Sequence, residues 1–303
     1  MNAIELQGVC KSFGSVRAVE NLSVRVPTGC VYGFLGPNGA GKTTTLRMIM
    51  NIIRPDAGVI RLLGDGDSAL ARNRVGYMPE ERGLYRKMTA AKVLAYFGAL
   101  KGVSSDRLSE GVPRWLARVA LAEHADKKVE ELSRGMHQKL QFAVTAINDP
   151  ELVILDEPFS GLDPVNQDLL RDIINEMRAE GKTVLFSTHV MHEAEQLCDF
   201  IVLINRGKVV VDGTLDAIRA GHESHTLCVE LEGDSSFVRT LPMVRQVKPR
   251  GHRLEVSLAD GADPQELLKV LVERARLRVF EIKQPSLHEI FVRLVGANHA
   301  EDS

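Results

Sequence analysis

Up to about residue 220, short β-branched runs alternate with amphipathic stretches, the pattern of an α/β unit built on a mostly parallel sheet. The N-terminal edge follows another rhythm. Ile4–Val9 and Leu22–Val26 alternate apolar with polar positions, as half-solvated antiparallel strands do. Cys30–Leu35 and Leu152–Leu155 are continuous apolar runs, which predicts central strands buried on both faces. Helical spacing marks Thr43–Asn51, Thr89–Gly102, Met136–Asn148 and Pro164–Glu180. The last of these has Asp163 as N-cap, Pro164 at the first helical position and Gly181 just past the end. Between about residues 84 and 132 helices dominate, so a helical subdomain is expected between strand-rich segments.

After Gly221 the pattern changes. Thr226–Glu230, the region of Val247, Leu254–Ser257 and Arg278–Ile282 read as strands, with helical stretches at Ser236–Leu241 and Asp263–Ala275. This β-α-β-β-α-β order predicts a small α+β domain of ferredoxin-like type. An amphipathic stretch, Ser286–Leu294, closes the pattern. The expected division is residues 1–221 and 222–303.

Composition narrows the classes. The chain has 303 residues, 44% hydrophobic and 26% charged, which excludes collagen-like and low-complexity readings. Its 38 basic and 40 acidic residues leave a formal charge of −2, so no global positive field holds a polyanion and no nucleic-acid partner is expected. Cys10, Cys30, Cys198 and Cys228 are scattered, which predicts a reducing compartment and no structural zinc. The N-terminus lacks the basic and apolar regions of a signal peptide, and the longest apolar runs are far shorter than a membrane helix requires. A cytosolic chain is expected, and any membrane role must come through a partner.

Candidate chemistry begins at Gly36-Pro-Asn-Gly-Ala-Gly-Lys-Thr43, which fits G-x-x-x-x-G-K-[ST] between a buried strand and a helix. Its glycines let the backbone wrap an anion, and the helix N-terminus offers unpaired N–H groups. Gly36, Asn38, Gly39, Ala40, Gly41, Lys42, Thr43 and Thr44 are the candidate nucleotide-binding residues, with Lys42 for the β- and γ-phosphates and the Thr43 hydroxyl for magnesium. The run Leu152-Val-Ile-Leu-Asp-Glu157 ends in two carboxylates. Asp156 would hold magnesium directly or through water, and Glu157 would orient or deprotonate the attacking water. A P-loop nucleoside-triphosphatase core that binds and hydrolyses a nucleotide with Mg2+ follows, a combination that very many unrelated proteins share.

Leu132-Ser-Arg-Gly-Met-His-Gln138, just before the second of these runs, resembles the signature of the ATP-binding cassette family, Leu-Ser-Gly-Gly-Gln. Leu132, Ser133 and Gly135 match, whereas Arg134 and Met136 depart. Other elements occur in family order. Ser160-Gly161-Leu162-Asp163 resembles the D-loop, His189 in Ser-Thr-His resembles the switch histidine that senses γ-phosphate, and Phe13 matches the aromatic that stacks on adenine. In Val75-Gly-Tyr-Met-Pro-Glu80 the family usually has glutamine where Glu80 stands. Glu80 is read as a magnesium ligand, with Glu81–Tyr85 as an alternative partner-contacting loop.

The resemblance covers about residues 3–220 and implies two cassettes arranged head to tail, each ATP held between one chain's phosphate loop and the other's Ser133 segment. A second copy of this chain, or a similar ATPase, would complete the pair. Without membrane spans of its own, the chain would dock on separate transmembrane permease subunits at the cytoplasmic face of the membrane. The segment Ser286–Leu294 resembles that of bacterial drug and sodium exporters, which implies export. The competing expectation, a soluble cassette ATPase acting on DNA or the ribosome, is disfavoured by the near-neutral charge and the absence of long coiled coils.

Overall fold

The computed structural model describes residues 1–64, 69–81, 83–221, 226–259 and 261–301. The chain divides into two compact units, Met1–Leu215 with Leu294–Ser303, and Asp216–Arg293. The boundary expected after Gly221 adjoins residues 222–225, which lie outside the described residues.

The first unit opens with strands β1 (Asn2–Phe13), β2 (Val16–Pro27) and β3 (Val31–Leu35), helix α1 (Lys42–Ile49), strand β4 (Ala57–Leu62), helix α2 (Ala69–Asn73) and strand β5 (Val75–Met78). Three helices follow, α3 (Ala90–Leu100), α4 (Ser105–Arg118) and α5 (Arg134–Ala146). The chain then alternates through β6 (Leu152–Asp156), α6 (Pro164–Ala179), β7 (Thr183–Thr188), α7 (Met191–Leu197), β8 (Phe200–Asn205) and β9 (Lys208–Thr214).

Two sheets form. A six-stranded sheet runs β5-β6-β7-β3-β8-β9, and every neighbouring pair is parallel except the antiparallel edge β8–β9. All residues of β3, β6 and β7 are buried, as unbroken apolar runs require in a sheet covered on both faces. The second sheet, β2-β1-β4, is antiparallel. β1 and β2 are longer than the alternating stretches that signalled them, because register shifts near Leu6 and Val9 break the period of two. A shared core joins Leu6, Val24 and Val26 to Phe34, Leu46, Ile154 and Val202.

The helical region holds α4, which runs through Gly111 and Pro113 and buries Leu108, Val112, Trp115 and Leu116. Trp115 meets Phe142 of α5 at 6.5 Å between ring centres. Among the described residues no helix is long and apolar enough to cross a membrane.

Helix α8 (Leu215–Ala220) leads to β10 (Thr226–Glu232), β11 (Val244–Arg250), β12 (Arg253–Leu258), α9 (Pro264–Arg274), β13 (Arg276–Ile282) and α10 (Leu287–Glu301). The four strands form an antiparallel sheet ordered β11-β12-β10-β13, with the first strand between the third and fourth, as in a split ferredoxin-like unit. The first expected helix is only a 3-10 segment, Ser236–Thr240, confined between Gly233 and Pro242. Leu227, Val229, Val256, Leu267 and Leu271 form this unit's own core. At the start of α10, the Glu289 carboxylate accepts from the Ser286 N–H at 2.9 Å and the Ser286 hydroxyl accepts from the Glu289 N–H at 3.2 Å, a reciprocal cap.

Candidate nucleotide site

Register in the six-stranded sheet sets Leu35 level with Thr188, and Asp156 level with Ser187, so the carboxyl ends of β3, β6 and β7 converge. Ligands of open α/β sheets bind outside such ends. The backbone leaving β3 turns tightly into α1. At Gly41, φ is +103° and a Cβ would stand 2.4 Å from the Ala18 carbonyl oxygen; at Gly36 a Cβ would stand 2.3 Å from that of Ile204. Neither position accepts a side chain without displacing backbone. Gly41 gives α1 no side-chain cap, so the first N–H groups of the helix remain available to an anion.

Lys42 curls back over this loop, its Nζ donating to the carbonyls of Gly36 at 2.8 Å and Pro37 at 3.2 Å. The same ammonium lies 3.6 Å from Oε1 of Glu157. Glu157 has a φ of +51°, unusual for a non-glycine residue. Its N–H donates to the carbonyl and hydroxyl oxygens of Ser187, each at 3.2 Å, which fixes the turn leaving β6. Oε1 of Glu157 is also 3.0 Å from Nδ1 of His189. Behind this pair, burial raises the carboxyl pKa of Glu193 and the nearby Glu157 charge adds to the rise, against the hydrogen bond from the Thr188 hydroxyl at 2.6 Å.

Asp156 is fully buried. Its Oδ1 accepts from the Ser187 hydroxyl at 2.5 Å and from the Thr43 hydroxyl at 3.3 Å, while Oδ2 is buried with no partner. An orphaned carboxylate oxygen is costly in a protein interior, and a cation beside Thr43 would satisfy it. The donor set is all oxygen, which suits magnesium. Among the described residues no group of three or more His, Cys, Asp or Glu could hold a metal by itself, so such a cation would also need oxygens from phosphate and water.

A cleft of about 300 Å3 gathers Asn38, Gly39, Gly41, Lys42, Thr43, Thr44, Glu80, Glu157 and His189, with Ala18 and Ser160 completing it. Gly36 and Ala40 shape the loop without lining the cleft. Phe13, Ser133, Gly135 and Asp163 are not in it either. Phe13 ends β1 half-exposed, with Nζ of Lys11 at 5.6 Å from its ring centre. Ser133 caps α5, its hydroxyl accepting from the Met136 N–H at 3.3 Å. A Cβ on Gly135 would touch Leu162 at 3.4 Å, so the signature segment packs on the D-loop of its own chain. Asp163 caps α6, accepting from the N–H of Asn166 at 3.0 Å and from its amide at 2.6 Å; these two bonds lower its pKa.

The sequence reading overlooked Ser187, which anchors both Asp156 and Glu157, although it stands in the Ser-Thr-His string that signalled His189. It also overlooked Gln138 and Gln141, two amides buried on α5.

Comparison with known proteins follows the same division. The family model described as "ABC transporter" matches residues 19–160, and the model described as "ATP-binding protein DrrA1-3-like, C-terminal domain" matches residues 213–295. Over 294 residues the chain is 38% identical to an "Uncharacterized ABC transporter ATP-binding protein YhaQ" of Bacillus subtilis (strain 168), covering 97% of this chain and 99% of that protein. Over 301 residues it is 38% identical to the "Nod factor export ATP-binding protein I" of Rhizobium sp. (strain N33), covering 97% of each. A solved "ATP binding subunit of ABC transporter" superposes with a TM-score of 0.68 at 30% identity, covering 73% of this chain and 93% of that one.

Proposed function

The chain belongs to the ATP-binding subunits of ABC transporters, and from that premise we propose that it works in pairs that close on ATP and drive export through separate membrane subunits. As a member of that family it binds ATP and hydrolyses it to power transport. The observation that carries the reading of the site is the convergence of Lys42, Glu157 and His189 on one cleft, above an Asp156 oxygen that lacks a partner.

The roles follow from chemistry. The uncapped N–H groups of α1 and the Lys42 ammonium hold the phosphates, and Lys42 exchanges its loop carbonyls for phosphate oxygens. Glu157, poised by the Ser187 contacts to its backbone, takes a proton from the attacking water. His189 holds the Glu157 carboxylate through Nδ1 and presents its other edge to the γ-phosphate. Magnesium, held by Thr43, Asp156 and Glu80, would neutralise charge on the phosphates. Phe13, at the end of β1, stacks on the adenine.

Pairing is supported by the exposed place of Ser133, capping a helix outside the cleft lined by Lys42. A second copy, or a similar ATPase, brings its own Ser133, Gly135 and Asp163 to the first copy's γ-phosphate, and loss of that phosphate opens the pair. Export is supported by the near full-length match to an export protein. Tyr85 stacks on Phe97 and meets Tyr96 edge-on beside an apolar groove lined by Ala91, Ala95, Leu108 and Val112; this surface supports docking of the membrane subunit, with the chain at the cytoplasmic face. Residues 1–221 form the nucleotide-binding domain and residues 222–303 an accessory domain. Glu157→Gln keeps ATP affinity while slowing turnover, so saturating ATP should shift the purified variant to a dimer on gel filtration. A monomer under those conditions contradicts the paired mechanism.

A further inference from the structure

Helix α5 carries two amide side chains toward the interior. Gln138 and Gln141 stand three residues apart, so they share one helix face, and each is 4% exposed. The Gln138 amide donates to the carbonyls of Glu157 at 3.3 Å and Pro158 at 3.0 Å. The Gln141 amide donates to those of Pro79 at 2.7 Å and Glu81 at 3.2 Å. All four acceptors are carbonyl oxygens, so in each case only the NH2 end of the amide can face them. For Gln141 this leaves Oε1 buried without a partner. Methionine would fill much the same space without stranding an acceptor, so packing alone does not explain an amide here.

The two carbonyls held by Gln141 belong to the residues immediately before and after Glu80, whose side chain lines the nucleotide cleft. The Glu81 carboxylate is held separately by Arg47 of α1 at 3.1 Å. The backbone on both sides of Glu80 is therefore tied to the helix that also grips the backbone of Glu157.

We propose that Gln141 is a positioning residue: by holding the Pro79 and Glu81 carbonyls it fixes Glu80 at the cleft, and it acts on the nucleotide-bound cation through Glu80. This rests on the reading of Glu80 as a magnesium ligand. An outer partner that orients a metal ligand typically changes metal affinity about tenfold or more when removed.

The test uses the full chain with ADP and with Mn2+ in place of Mg2+, reading free Mn2+ by electron paramagnetic resonance, so that no turnover is needed. Glu80→Ala, Gln141→Met and the double variant are compared with wild type, with a melting curve for each. Both single variants should raise the half-saturating Mn2+ concentration about tenfold, and the double variant should be no weaker than Glu80→Ala alone, since Gln141 acts only through Glu80. A Gln141→Met variant that melts earlier but binds Mn2+ like wild type, while Glu80→Ala is shifted, overturns the proposal and leaves the Glu80 reading intact. Shifts that add in the double variant overturn it in the same way. An unshifted Glu80→Ala overturns both. If Gln141→Met fails to fold, Gln141→Glu, of the same shape and without the NH2 donor, takes its place with the same expected shift.

Discussion

At the residue scale, the site is arranged around charges that the protein leaves incompletely paired. Lys42 is 6% exposed; its ammonium hydrogen-bonds two loop carbonyls and has the Glu157 carboxylate only at 3.6 Å, a weaker setting than direct charge-assisted bonds to phosphate oxygens would provide. Lys42→Ala removes the point charge aimed at the phosphates and should lower ATP turnover by about a hundredfold or more, as loss of one preorganised donor does elsewhere. Steady-state ATPase assays of the purified variant check this; near wild-type turnover would refute the role of the loop. A further carboxyl lies away from the cleft, on an exposed position of β9. Asp212 on β9 accepts a hydrogen bond from the Tyr32 hydroxyl, and desolvation of the carboxyl raises its pKa while that hydrogen bond opposes the rise. A carboxyl whose folded pKa is raised contributes stability that is fully present below its unfolded value and lost as pH rises through the folded value. Asp212→Asn keeps the acceptor and cannot ionise. Its melting temperature should therefore fall less than that of wild type between about pH 4 and pH 7, as scanning calorimetry would read.

Among the elements, caps and side-chain grips set where the helices that frame the cleft begin and what they hold. Asp163 has two claims on it, as N-cap of α6 in the single chain and, in the proposed pair, as part of the segment facing the second copy's nucleotide. Asp163→Ala should lower the melting temperature by about 2–4 °C through loss of the cap. Asp163→Asn retains a capping acceptor and should melt close to wild type, so any loss of turnover in that variant reports the second role. Helix α5 links two parts of the site to the segment that the proposed pair presents to the second copy. Its N-cap is Ser133, and its buried face grips the backbone of Glu157 and the loop of Glu80. Any tilt of this helix is felt at both carboxylates.

On the scale of the whole molecule, each of the two units has its own apolar core, with Phe34, Leu46 and Ile154 in one and Leu227, Val256 and Leu271 in the other. Among the described residues, those lining the nucleotide cleft all belong to the first unit. A fragment ending at Gly221 should therefore fold and bind ATP, with affinity within about threefold of the full chain, because a domain with its own core retains its site when separated. Circular dichroism with fluorescent-nucleotide titration would decide, and an insoluble or nucleotide-blind fragment would show that the division is misplaced.

The phosphate loop, the carboxylate pair, the signature segment and the order in which they follow one another were legible in the sequence because their chemistry is local: positive-φ turns, caps and helix starts are written in contiguous residues. Four of the long helices and the buried strands Val31–Leu35 and Leu152–Asp156 were legible for the same reason, since hydrophobic period reports burial within one element. The meeting of Asp156 with Thr43 and Ser187, and of Gln141 with the Glu80 loop some 60 residues earlier, was not. Those contacts depend on the strand order β5-β6-β7-β3, in which neighbours in space are distant in sequence. Hydropathy along the chain determines that β3 and β6 are buried; only the packed sheet decides which strands lie beside them, and hence which carboxylate is left with an oxygen to offer a cation.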